Sequence, residues 1–326
     1  MTVPRLSEWI ERPLAVAVLT GTLLTACRGD DRPTPPPGSP LAEESVSTGS
    51  VVIAVGDIAV CGSNGDEATA ALTDSLLVAD SAESRETLVL TLGDNAYPSG
   101  QGGADRVFSR CFSPSWGNPR IMRVIRPAPG NHDYETGSAD PYFRFFGDKA
   151  GPAGKGYYSY DFAGWHIISL NSELVRGRNS SEERQQEDWL RRDLRAHPAL
   201  CTLAYFHKPR FTSGPHGSNP RFQSLWQILY LEGADLVLNG HDHDYERFGP
   251  QTPTGLPDPA RGIVEIVAGT GGGSLTGARQ PLERNSVAHI NGRFGVLKLM
   301  LGAGEFAHAF IDTDGRVWDP GILKCH

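Results

Sequence analysis

Apolar runs recur along the chain, and most end in Gly or Pro followed by a polar residue. VVIAVG (Val51 to Gly56) is a β-branched run closing on Gly56-Asp57, which predicts a buried strand. Asp66 to Asp80 changes period: Ala70, Leu72, Leu76, Leu77 and Ala79 have helical spacing. TLVLTL (Thr87 to Leu92) predicts a second strand, again closing on Gly-Asp, and Val124 to Ala128 a short third before Pro129-Gly130. YYSYDF and WHIISLN read as a hairpin about Ala163-Gly164. Ser181 to His197 predicts a helix: Ser180 or Ser181 can cap it, Glu187 and Arg191 stand at i,i+4 spacing, and Pro198 stops it. Trp189, Leu190 and Leu194 would be its buried stripe, and Arg191, Arg192 and Arg195 its solvated face. CTLAYF, DLVLNG, RGIVEIVAG, FGVLKLML and EFAHAFID predict further strands, with a helix at Arg221 to Glu232. The alternation is that of an α/β fold, in which ligands bind at the carboxyl ends of the strands.

The amino end has a different pattern. Pro13 to Ala26 is an apolar run of signal-peptide length, too short for a comfortable membrane span, and it ends in Leu24-Thr25-Ala26-Cys27. This resembles a bacterial lipobox, in which Cys27 is lipidated and seats the protein on the outer face of a membrane. The alternatives are an ordinary secretory signal cut near Ala26, or a buried helix. Residues 28–50 are rich in Pro, Ser, Thr and acids and read as a solvated tether. The organisation expected is therefore a signal segment at 1–27, a disordered tether at 28–50 and a folded unit at 51–326.

Composition narrows the function classes. Thirty Lys and Arg stand against 38 Asp and Glu, a net charge of −8, which argues against nucleic acid as the main partner. Four cysteines lie in the folded unit: Cys61, Cys111, Cys201 and Cys325. In an exported protein they permit two disulfides, with the pairing open. None are close enough in sequence for a thiolate metal knuckle.

The chemistry concentrates at the strand ends. Gly56-Asp57, Gly93-Asp94-Asn95-Ala96-Tyr97, Gly130-Asn131-His132-Asp133, Phe206-His207-Lys208-Pro209 and Gly240-His241-Asp242-His243-Asp244 each place a metal-ligand residue type after a strand. Parallel topology would bring these distant loops together. Carboxylates and imidazoles suit Zn, Mn or Fe, and a carboxylate bridging two ions is the usual core of a two-metal hydrolase. Alternate residues of an extended turn share a face, so His241 and His243 can reach neighbouring metals. His166 and His308 lie in apolar strands and read as satisfied core histidines. Asp242 and Asp244 read as turn residues or as partners of the ligands, with Asp244 the better candidate for the second role.

Taken together, these blocks resemble the calcineurin-like metallophosphoesterases, and within them the purple acid phosphatases. GDNAY, GNHD, FHKP and GHDHDYER are similar to that family's ligand blocks, SGPHG (Ser213 to Gly217) to a substrate-contacting histidine stretch, and VAGTGGG (Val267 to Gly273) to its glycine-rich stretch. The resemblance implies a four-layer α/β/β/α sandwich forming a single catalytic domain over 51–326. It implies that Asp57, Asp94, Tyr97 and His243 hold one metal and that Asp94, Asn131, His207 and His241 hold the other. The wider superfamily has Asp-x-His in the first block, and here the histidine's place is Ala59. Tyr97 stands where the purple branch supplies a tyrosinate instead, which favours Fe(III) paired with Fe(II), Zn or Mn. The purple branch has glycine at the position of Ala59, so a methyl group is the remaining departure. The implied reaction is hydrolysis of phosphoric monoesters, metal-bound hydroxide attacking phosphorus in line. His132 would contact phosphate and protonate the leaving group, Asp133 would orient that imidazole, and His216 would be a second substrate-contacting or acid group. A phosphodiesterase or nucleotidase on the same scaffold is the alternative, to be decided by loops such as 101–118. A non-catalytic surface-binding lipoprotein is the reading from another class.

Overall fold

We describe the chain from a computed structural model, residues 49–97, 105–135, 137–176 and 180–326. The expected signal segment, Cys27 and nearly all of the tether lie outside the described residues, as do residues 101–104 of the loop at 101–118.

The first half builds a six-stranded sheet. β1 (Ser50–Val55), β2 (Thr87–Leu92) and β3 (Ile125–Ala128) run parallel, with α1 (Gly65–Ala82) crossing between the first two. The second half builds a seven-stranded sheet from β4 (Tyr158–Phe162), β5 (Trp165–Ser169), β6 (Cys201–Tyr205), β7 (Leu236–Asn239), β8 (Tyr245–Phe248), β9 (Val264–Ala268) and β10 (Ser286–Ile290), in the order β10-β8-β9-β7-β6-β5-β4. Its central strands β5, β6, β7 and β9 are parallel. α2 (Ser181–Ala196) and α3 (Gln223–Leu231) cover its outer face. The chain then returns to the first sheet as β11 (Gly295–Leu301), β12 (Glu305–Asp312) and β13 (Val317–Lys324), giving the order β13-β12-β11-β1-β2-β3.

Side-chain alternation explains the layering. Val51, Ile53 and Val55 pack outward against α1 and the helical turns of 108–121, while Val52 and Ala54 pack inward. The inward cluster joins Leu90 and Leu299 of one sheet to Leu203, Leu238 and Ile266 of the other. A third cluster lies between the second sheet and α2 and α3, through Ile168, Leu190, Ala204, Trp226 and Val237. Three apolar seams separate four layers, the α/β/β/α sandwich expected from the motifs.

Local expectations hold where the signal is local. Ala163 and Gly164 both take positive φ, 54° and 78°, as the tight β4–β5 hairpin requires. Ser180 caps α2 by accepting from the Glu183 amide at 3.1 Å. His166 is buried with Asp161 at 2.8 Å and Asp193 at 2.9 Å, a satisfied core histidine. The Arg221 to Glu232 helix begins instead as a 3₁₀ turn, Pro220–Phe222. β10 and β13 carry no strand signal in sequence. β13 contains Pro320 and Gly321 and is tolerated because it lies at the edge of its sheet.

Two disulfides form, Cys61–Cys111 and Cys201–Cys325. The second ties the first residue of β6 to the carboxyl end across 124 residues of sequence. Closing so long a loop in the unfolded chain is worth several kcal/mol. The Cys201→Ser/Cys325→Ser chain is expected to lose about 3 kcal/mol, a fall in Tm of roughly 10 °C in a thermal melt.

Candidate metal centre

Three strand ends set the ligands in strained backbone. Asp57 follows β1 with φ 60°, Asp94 follows β2 with φ 49°, and His241 follows β7 with φ 75°. A non-glycine residue in this region costs of order 1–3 kcal/mol, and such strain clusters at functional sites. Close approach is enforced by glycine. A Cβ on Gly93 would strike the His207 ring, and one on Gly130 would strike the Asp94 amide and carboxylate.

The seven ligands expected from sequence all meet. The Asp57 carboxylate lies 3.2 Å from His243 Nε2 and accepts the Tyr97 hydroxyl at 2.9 Å and the His241 amide at 2.7 Å. The Asp94 carboxylate also accepts the Tyr97 hydroxyl, at 2.9 Å, and lies 3.1 Å from His207 Nε2. His207 Nε2 in turn faces Asn131 Oδ1 at 3.2 Å and His241 Nδ1 at 3.2 Å. One ligand atom each from Asp94, His207 and His241 fall within 4.8 Å of one another. Asp94 thus stands between two sets, as a shared ligand must. Ala59 is fully buried against Ala96, and its amide reaches the Asn95 carbonyl at 3.1 Å, so the methyl is absorbed by packing.

The donor set fits a pair of cations. Asp57 and Asp94 are buried, and among the described residues their ion pairs are to imidazoles only. His207 Nδ1 is engaged by the Leu92 carbonyl at 2.9 Å and His243 Nδ1 by the Ser274 carbonyl at 2.8 Å, which leaves each Nε2 aimed into the cluster. Electrostatics agree. Burial works against ionised Asp94, but the charges on His207 and His132 outweigh it and hold its carboxyl well below the usual range. Burial likewise disfavours charged His207 and His243, yet Asp94 and Asp57 push the first up to about 9, and Asp57 pushes the second up to about 9. His241 is driven down, by burial and then by His207 and His216. Burial and the two carboxylates raise the Tyr97 phenol. The charge on the two carboxylates is thus matched by protonated imidazoles.

The expected catalytic residues divide. His132 lies at the rim, its ring 4.4 Å from that of Tyr97 and its Nε2 3.9 Å from Asp94. Asp133 does not orient it. That carboxylate is buried and accepts from the Asn95 side chain at 2.9 Å and the Gly130 amide at 2.9 Å, and its other oxygen has no hydrogen-bond partner. Burial, then Asp94, push Asp133 up to about 7, so it holds the loop rather than the imidazole. Glu135, which sequence reasoning missed, lies 3.0 Å from His132 Nδ1. His216 stacks on His241 at 4.1 Å, with Nδ1 2.8 Å from Asp242. Asp242 therefore supports His216, whereas Asp244 turns to His289 at 2.9 Å.

Known proteins fit this geometry. The family model for calcineurin-like phosphoesterases matches residues 50–245. The chain belongs to that family. Within the calcineurin-like phosphoesterases its sequence relatives place it in the purple acid phosphatase-like branch. It is 26% identical to purple acid phosphatase 15 of Arabidopsis thaliana, over 67% of this chain and 45% of that one. It is 28% identical to acid phosphatase type 7 of Homo sapiens, over 59% of this chain and 50% of that one. The chain thus spans half or less of the length of these curated relatives. The fold is shared with a purple acid phosphatase from yellow lupin seeds, at TM-score 0.68 and 18% identity, covering 84% of this chain and 53% of the other. It is shared too with the anchor protein of the inner membrane complex of Plasmodium, at TM-score 0.64 and 14% identity, covering 85% and 89%.

Removing His207 deletes the imidazole that touches Asp94, Asn131 and His241 together. His207→Ala protein is expected to bind at least one metal ion fewer per chain than the parent, read by atomic emission after loading and desalting. The control Gly249→Ala, where an added Cβ meets only ordinary contact at 3.6 Å, should keep the parent's metal content.

Proposed function

We propose that this chain hydrolyses phosphoric monoesters at a dinuclear metal centre. The reading is carried by one observation: Tyr97, Asp57 and Asp94 share hydrogen bonds inside a ring of three imidazoles and Asn131. When bound, a pair of ions, Fe(III) with Fe(II), Zn or Mn, would make a nucleophilic hydroxide available at mild pH and neutralise phosphoryl charge. Asp57, Tyr97 and His243 would hold one ion, Asn131, His207 and His241 the other, and Asp94 both. The hard phenolate of Tyr97 supports a trivalent ion on its side.

The chain's own groups do the rest. His132 is held at the rim by Glu135 and by its contact with the Tyr97 ring, so its Nε2 can bind a phosphoryl oxygen or deliver a proton to the leaving alkoxide. Asp242 and the face of His241 fix the His216 ring, which leaves Nε2 for a second substrate contact. The full ligand set supports turnover over a purely binding role. A diesterase or nucleotidase would use the same ligands and differ in the surrounding loops.

We also infer that the protein is exported and tethered through Cys27. The lipobox-like segment supports this, as do two disulfides joining remote cysteines. No described helix is long and apolar enough to cross a membrane.

Turnover of p-nitrophenyl phosphate by metal-loaded protein is expected to exceed that of bis(p-nitrophenyl) phosphate; the reverse order assigns a diesterase. His132→Ala should lower kcat by about 10²- to 10⁴-fold with a smaller change in KM. Iron-loaded protein should absorb visible light through Tyr97, and Tyr97→Phe should lose that band while still binding metal.

A further inference from the structure

The strands have a second end, remote from the metals. Ser50 begins β1 there, and the next residue, Val51, pairs with Thr87 at the start of β2 and donates its amide to the Glu86 carbonyl. A groove of about 540 Å³ opens at this end, between the last turn of α1 and the residues that lead into β3. Val78, Ser81, Thr87, Arg123, Val124 and Phe162 line it.

Three arginines and one carboxylate, Glu86, line it. Arg85 and Arg120, also in the groove, are matched by Asp80, Glu83 and Asp74. Arg123, Arg126 and Lys149 have no carboxylate partner among the described residues. Lys149 Nζ donates to the Arg123 carbonyl at 3.3 Å, and Arg126 lies over the Tyr160 ring at 5.5 Å. Burial, and then the charge of Arg126, lower the Lys149 ammonium.

Large apolar side chains stand exposed at the same end. Val78 is 51% exposed in the last turns of α1, Leu200 73% immediately before β6, and Leu231 62% as the last residue of α3. Val78 beside Arg123 in the groove, with further apolar side chains exposed at the same strand ends, suits a bilayer surface, where the side chains enter the interface and the cations meet phosphate. A compact polyanion would be served by the cations alone.

We propose that this end of the sandwich rests on an anionic phospholipid surface, with Arg123, Arg126 and Lys149 engaging headgroup phosphates. The chain enters the fold at this end, so a tether running from the membrane leads directly to it. The metal centre, at the opposite strand ends, then faces away from the bilayer toward soluble substrate. The inference rests on proposed export only for the membrane that is met, and turnover is scored separately.

The full-length chain is mixed with vesicles of phosphatidylglycerol or of phosphatidylcholine, and backbone hydrogen exchange is read by mass spectrometry. Phosphatidylglycerol is expected to slow exchange in residues 119–126, 147–150 and 198–202 relative to phosphatidylcholine, and to leave 129–134 and 239–244 unchanged. R123E/K149E should lose this protection, roughly fivefold per reversed charge, with turnover of p-nitrophenyl phosphate unaltered. R123Q/K149Q replaces it if the reversal impairs folding. Equal exchange on the two vesicles, protection by inorganic phosphate alone, or protection retained in the double variant overturns the proposal.

Discussion

Asp57 and Asp94 are buried side by side, and among the described residues their ion pairs are to histidines alone. Removing two carboxylates from water without a permanent counter-charge is costly. In the ion-free protein the imidazoles of His207 and His243 meet this cost by staying protonated, each pushed up to about 9. Divalent or trivalent ions serve better, because they bring fixed charge and leave the imidazoles free as donors. The rest of the centre follows from that need: Tyr97 bridges both carboxylates, and His241 is driven toward the neutral, ligating form.

The fold exists to hold that pair together. Parallel strands in two sheets deliver Asp57, Asp94 and Asn131 from one sheet and His207 and His241 from the other, so the centre spans the inner seam. Positive φ at Asp57, Asp94 and His241 turns the chain sharply enough to point the ligands at one volume. The inner apolar cluster beneath, Leu90, Leu92, Leu203 and Leu238, fixes the spacing of the sheets and therefore of the ligands. Rigidity in the strands supplies precision that loops alone would lack.

Much of this was legible in the chain. β1, β2, α2 and the β4–β5 hairpin rest on local periodicity, caps and turn residues, which act within a few residues. The ligand blocks were legible because each combines glycine, a strand end and a donor. What escaped depends on tertiary partners. Asp133 adjoins His132 in sequence, but its side chain is claimed by Asn95 and Gly130, and Glu135, three residues on in the same turn, meets the His132 ring instead. Asp242 rather than Asp244 meets His216 because a loop distant in sequence folds back over the paired histidines. β13 was hidden by its proline, permitted only by an edge position that sequence does not reveal.

Function then follows from position. A solvent-accessible histidine at the rim, a second fixed by stacking, and a dense cluster of oxygen and nitrogen donors below them make up the site proposed to take a phosphate ester. The direct measurement is anomalous diffraction from metal-soaked crystals at the iron, zinc and manganese edges. The account predicts two peaks per chain, roughly 3.5–4 Å apart, sharing the Asp94 carboxylate, with Tyr97 on one of them. A single peak, or ions that leave Asp57 or Asp94 uncoordinated, would contradict it.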